Sequence, residues 1–286
     1  MSFPLIRLPL VALQEVMKSM DMREILLFPF LSEKCHQVVK ASISKKSALE
    51  ITFTPERHFI TVEISPKFRF DVKWNDRDPG HLYKIKNKLY LRTHFSTCNR
   101  CVKFRWFRSE VSEDEDLIRI MLEYFADTYK PFVSFNFNEE IRQELAIELI
   151  RYCRQNHIRL SWIIFDYGIN ASPEYVREIL EGSIEEDAFI YIKSSVPEGF
   201  EYTSPPGGFK LGGLTVNNAH WVNLNDFLQC ESVTVRGDLF HMTPQYLNKV
   251  FKTIINTECR IRSLFLSGTS FNQNNFPEIM EELSDK

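Results

Sequence analysis

The apolar positions change their period twice along the chain. In residues 1–42, Leu10, Leu13, Met17 and Met20 recur at three- and four-residue spacing, and Leu31, Cys35, Val38 and Val39 do the same. That spacing gathers each set on one face of an α-helix. Between them, Ile25 to Phe28 is apolar on every side. Asp21, followed three residues later by Glu24, supplies a capping box for a middle helix. Pro29 lacks the donor that a helix interior needs, so it should end that helix or open the next. Three short helices are expected, in a segment where 23 of 42 positions are apolar and none is glycine.

Residues 45–108 switch to short alternating runs, ALEITF, HFITVEIS, KFRFDVKW, KLYLRTHF and CVKFRWF, broken by Pro55, Pro66 and the turn Asp78-Pro79-Gly80. Such runs predict antiparallel strands. The acidic residues around Glu113 to Asp116 close this region, and Asp114 to Tyr129 reads as a helix. From residue 132 strands alternate with helices. FVSFNF precedes a helix over 139–155, SWIIFDY one over 173–181, and SVTVRG one over 244–256, with AFIYIK, LGGLTV and RSLFLSG as further strands. Ser172-Pro-Glu-Tyr-Val and Thr243-Pro-Gln-Tyr-Leu are near copies, each a hydroxyl cap with proline at the first helical position. Their offset of 71 residues is close to three units of about 24, the length range of leucine-rich repeats, although no asparagine ladder is visible. Stacked strand-helix units are the simplest reading, with an ordinary mixed α/β domain as the alternative. The expected class is therefore α+β: a three-helix segment at 1–42, a small antiparallel β region at 43–110, and a leucine-rich-repeat-like α/β domain at 111–286.

Composition narrows the function only a little. The chain has 286 residues, 44% hydrophobic and 26% charged, with net charge -3, so it carries no global attraction to nucleic acid or anionic membrane. Its six cysteines, Cys35, Cys98, Cys101, Cys153, Cys230 and Cys259, follow no framework spacing and suit buried thiols in a reducing, intracellular compartment. FPLIRLPLVAL is too interrupted, by Arg7 and two prolines, for a signal-peptide core, and no run reaches the roughly 20 apolar residues of a membrane span. Asn170-Ala171-Ser172 would matter only as a glycosylation acceptor in a secreted protein.

Leu8-Pro9, the helix through Val16, Met17 and Met20, then Asp21, Ile25-Leu26 and Leu31-Ser32 resemble the F-box motif over about 40 residues, most closely in nematode F-box families. Trp221-Val-Asn-Leu, Phe227-Leu, Cys230, Ser232-Val-Thr-Val and the helix from Leu247 to Phe251 resemble the F-box-associated domain of the second type that those families carry. The resemblance implies a non-catalytic substrate-recognition subunit of a ubiquitin ligase. In it the amino-terminal segment docks on a Skp-type adaptor, which links it to a cullin, and the carboxy-terminal region binds a protein target. The adaptor contacts would be Leu8, Pro9, Leu13, Val16, Met17, Ile25, Phe28 and Leu31. Independently, a helical segment of 42 residues cannot enclose 23 apolar residues by itself, so some must face another body. Loops at strand ends are the natural readers of a target, and His220, Arg236, Asp238 and Gln273 lie in them.

Other chemistry is weaker in the sequence. His94, Cys98 and Cys101, with His81, offer zinc-ligating atoms, but only one CxxC exists where a structural site needs two clear pairs, so no metal is expected. Residues 84–108 hold eight basic residues and no acidic one, interleaved with Tyr90, Phe95, Phe104, Trp106 and Phe107. Such strands would suit single-stranded nucleic acid, or a general protein contact. Val102, Phe104 and Trp106 nevertheless alternate with Lys103 and Arg105 as in any half-buried strand. No glycine-rich phosphate loop, HExxH or GxSxG is present, and Pro205-Pro206-Gly207-Gly208 reads as a turn. His220 beside Trp221 and His241 beside Met242 read as packing or surface residues. Neither catalysis nor a cofactor is expected.

Overall fold

A computed structural model of the chain describes residues 8–20, 24–25, 28–42, 49–55, 59–66, 81–85, 89–98, 101–107, 114–138, 142–166, 171–182, 188–237, 239, 241–268 and 276–281; strands β2 to β5 are described by their backbone. The chain divides into two compact units, Met1–Ser134 and Phe135–Lys286.

In the first unit, helix α1 (Leu10–Ser19) starts at Pro9, whose carbonyl accepts from the Leu13 amide at 3.0 Å, and stops where Met20 turns extended. A 3₁₀ turn (Phe28–Leu31) follows, then α2 (Glu33–Ser42). The Ser32 hydroxyl caps α2 by accepting from the Cys35 amide at 3.2 Å. Strands β1 (Leu49–Pro55), β2 (Phe59–Pro66), β3 (His81–Ile85), β4 (Leu89–Cys98) and β5 (Cys101–Phe107) pair antiparallel in the order β1-β2-β5-β4-β3. Helix α3 (Asp114–Tyr129) lies on β1, where Phe125 meets Phe53 edge to face at 6.5 Å. The same helix receives α2: the His36 ring stacks on Tyr124 at 4.9 Å, and Lys40 pairs with Asp127 at 2.6 Å. The unit boundary falls inside β6 (Phe132–Asn138), whose neighbour in this unit is β1.

The second unit continues from β6 through β7 (Leu160–Asp166), β8 (Phe189–Ile192), β9 (Gly213–Asn217), β10 (Ser232–Arg236) and β11 (Ser263–Ser267), neighbours in sequence order, with β7 to β11 paired parallel. Helices α4 (Gln143–Gln155), α5 (Pro173–Gly182) and α6 (Pro244–Asn256) lie between strands, and the short α7 (Phe276–Ile279) follows β11. Their apolar stripes are buried, as with Leu145, Ala146, Leu149, Ile150 and Cys153 of α4. The core is continuous through stacked rings, Phe135 on Phe137 and Phe137 on Phe165, with Tyr175 of α5 edge-on to Phe165. No helix joins β8 to β9. That connection instead brings Phe200, Tyr202 and Phe209 against Trp221 and Phe227, with ring separations of 5.3 Å (Phe200–Trp221) and 5.5 Å (Phe209–Phe227).

These observations correct the expected fold class. The chain is α/β, built on a parallel sheet with intervening helices, and not α+β with leucine-rich-like repeats; the antiparallel strands β1 to β5 do not change that class. Strand starts from β6 to β11 are separated by 19 to 31 residues, so no 24-residue metre is kept. Two of the connections also lack an α-helix among their described residues. The amino-terminal segment is no free-standing bundle: within the first unit α2 docks on α3, which supplies the apolar cover that 42 residues alone lack. Glu24 and Ile25, the described residues of the expected middle helix, are helical, and Pro29 lies buried in a separate 3₁₀ turn, Phe28–Leu31, that precedes α2. Residues 21–23 and 26–27 lie outside the described residues, as does the strand expected at KFRFDVKW.

Candidate interaction surfaces

The eight amino-terminal contact residues divide by burial. Leu13 and Met17, one helical turn apart on α1, are 2% and 4% exposed, and Phe28 is buried as well. Leu8, Val16 and Ile25 are half-buried, while Pro9 and Leu31 are exposed. One further residue, Val11, is 71% exposed and Leu31 66%, the two largest values among the exposed large hydrophobic residues described. The segment therefore keeps an internal core while leaving two large apolar side chains, Val11 and Leu31, open. The F-box resemblance names Leu13, Met17 and Phe28 as contacts, and in the fold they are enclosed, while Val11, which the resemblance does not name, is open.

Behind that segment sits a buried polar chain. The Thr128 hydroxyl donates to the Tyr124 carbonyl at 2.6 Å, leaving its oxygen to accept from His36 Nε2 at 2.8 Å. His36 thus carries its proton on Nε2. Its Nδ1 lies 3.7 Å from Glu33, and Asp127 approaches Nε2 at 3.8 Å. Burial holds the Tyr124 phenol well above its ordinary range, with the nearby Glu33 and Cys35 adding to the effect. The group joins α2 to α3.

In the second unit, polar residues line the carboxyl ends of the parallel strands, the edge where open α/β sheets most often meet ligands. Asp166, which ends β7, pairs with Lys193 just after β8, Asn217 ends β9, Arg236 ends β10 and Ser267 ends β11. Arg236 stands in register between Asn217 and Ser267 and is exposed. Asn217 is half-buried, and its Oδ1 is a buried acceptor without a hydrogen-bond partner. The turns beyond are tight: Gly237 has φ 107°, and a Cβ on Gly268 would come within 2.2 Å of the Gly237 carbonyl. His220 is exposed and its Nε2 donates to the Pro197 carbonyl at 3.1 Å. Of the four expected target-reading residues, the structure places His220 and Arg236 in the turns and strand ends of this unit; Asp238 and Gln273 lie outside the described residues.

His241 Nε2 donates to the Val222 carbonyl at 3.0 Å and so serves to fix a loop. Cys98 and Cys101 stand opposite each other at the end of the β4–β5 pair, with His94 opposite Arg105 and His81 opposite Thr93; their side chains are outside the described set. So are those of the basic aromatic strands β3 to β5. Among the described residues, no group of three or more metal-ligating side chains is gathered. Cys35, Cys153 and Cys230 are buried free thiols, and burial pushes Cys230 up to about 11. Among the described residues, no helix is long and apolar enough to cross a membrane.

Compared with family models, with curated proteins and with solved structures, the chain matches none.

Proposed function

We propose that this chain is a non-catalytic adaptor subunit that recruits a protein target to a ubiquitin ligase of the Skp and cullin type, working inside the cell. The observation that carries this reading is the exposure of Val11 and Leu31 in the amino-terminal segment, 71% and 66%, while Leu13, Met17 and Phe28 are already buried. Exposed apolar surface that the fold does not use itself marks an interaction site. Leu8, Pro9, Val16, Ile25 and Leu31, with Val11 added, make up the contact surface, and Leu13, Met17 and Phe28 support it from within. Burying one such side chain is worth roughly 1.5 to 3 kcal/mol, so three or four together outweigh the cost of association. Target reading falls to the strand ends around His220 and Arg236, where an exposed cation is held by a rigid sheet.

A pull-down with recombinant Skp-type adaptor tests the reading. The wild-type chain should retain the adaptor at micromolar concentration. Val11→Asp combined with Leu31→Asp should weaken retention by about tenfold or more, since central apolar anchors each contribute about 2 kcal/mol. Circular dichroism of the same variant checks that folding is intact. A folded wild-type chain that fails to retain the adaptor would end this proposal.

A further inference from the structure

Strand β11 ends the sheet order, and among the described residues only β10 pairs with it. Edge strands are ordinarily protected by charge, proline or a bulge. This one has none of these from Ser263 to Gly268, and Phe265 at its centre is 52% exposed. Its sequence, Ser263-Leu264-Phe265-Leu266-Ser267, reads the same in both directions. We propose that β11 pairs antiparallel with β11 of a second copy of this chain, around a two-fold axis at Phe265.

The backbone directions fit that register. The Ser263 amide donates to the Glu231 carbonyl, and the Ser267 carbonyl accepts from the Gly237 amide, so the peptide groups of Ser263 and Ser267 turn toward β10. Alternation along a strand puts Phe265 in the same phase and turns the amides and carbonyls of Leu264 and Leu266 toward the open edge. With the axis at Phe265, Leu264 faces Leu266 of the second copy twice over, giving two hydrogen-bonded pairs and four new hydrogen bonds. Phe265 then meets its own copy in a non-hydrogen-bonded position, where side chains approach most closely. Ser263 faces Ser267, and Arg262 faces Gly268, so no like charges are opposed. The contact is isologous, as a closed dimer requires. Five residues a side make a small interface, so the dimer should dissociate in the micromolar range.

Sedimentation velocity of the full chain across that range is the test, with Phe265→Lys as the probe. Phe265 is half out in solvent, so the variant should keep the wild-type circular dichroism while placing two cations face to face. The expected result is a concentration-dependent dimer for wild type and a monomer for F265K. A second measurement uses F265C in a C259S background: mild oxidation should join the F265C peptide to itself, as read by peptide mass spectrometry. A wild-type chain that stays monomeric, a dimer that survives F265K, or cross-links that join other positions instead would each overturn the proposal.

Discussion

Gly213 stands directly opposite Phe189 in the parallel sheet, and a Cβ at position 213 would come within 2.5 Å of the Phe189 ring. The ring fills the space a Cβ would need while stacking on Trp162 from the next strand at 4.5 Å. Glycine in a strand interior ordinarily weakens it, and an aromatic neighbour laid across the gap compensates. Gly213→Ala should therefore destabilise the chain, although alanine suits a strand no worse than glycine in backbone terms. Overpacking of this kind costs about 1 to 3 kcal/mol. Phe189→Ala in the same chain should remove most of the added penalty, so chemical denaturation of the two single variants and the double variant should be non-additive.

The α2–α3 contact gives a second test. Thr128→Val keeps the side-chain shape but removes the acceptor for His36 Nε2, which is 2.8 Å away and buried. A buried donor left without its partner costs about 1 to 3 kcal/mol, so the midpoint of unfolding should fall. Thr128→Ser keeps the hydroxyl and should recover most of the loss, apart from the methyl group.

Burial within the amino-terminal segment separates folding from binding. Leu13 is 2% exposed, and Leu13→Ala should cost about 2 to 5 kcal/mol through lost transfer energy and a residual cavity. Val11 is 71% exposed, and Val11→Asp should leave the unfolding midpoint nearly unchanged. Thermal melts of the two variants, set beside adaptor retention, should show the effects crossing over.

Alkaline pH probes the buried thiols. The folded chain raises the Cys230 thiol from its ordinary value near 9 to about 11, mainly through burial. Unfolding lowers it again, so Cys230 contributes stability that is fully present below about 9 and is lost as pH rises through about 11. Denaturation midpoints should decline over that window, and less steeply in Cys230→Ala. At neutral pH, thiol reagents followed by peptide mass spectrometry should label the partly exposed Cys259 faster than the buried Cys35, Cys153 and Cys230.

Local features of the fold could be read directly from the sequence. The hydroxyl cap with proline behind it starts α5 at Pro173 and α6 at Pro244; the Thr243 hydroxyl accepts from the Tyr246 amide at 3.2 Å. Asp114 and Tyr129 bound α3 as their spacing requires, and SVTVRG and RSLFLSG contain β10 and β11. Each of these signals depends on a few neighbouring residues and on the 3.6- or 2-residue period of the backbone, which a sequence carries in full. The short strand β3 went unassigned because His81 to Ile85 alternates over too few residues to stand out.

Only the tertiary structure decided which of two equivalent apolar residues faces inward. Leu13 and Val11 are both aliphatic and lie two positions apart on α1, yet one is enclosed and the other open, because enclosure depends on what packs against the helix and not on the helix itself. The fold class turned on the same point. Near-identical helix starts 71 residues apart suggested a regular repeat, but strand spacing varies, and an aromatic cluster around Trp221 and Phe227 occupies the connection where a repeat would put a helix. Of the candidate target-reading residues, Arg236 was recognisable as a strand-end cation, whereas its place between Asn217 and Ser267 was not. That row exists because parallel pairing aligns residues separated by about 20 to 30 positions in the chain. Local sequence sets the elements through backbone geometry, and long-range packing selects the surface.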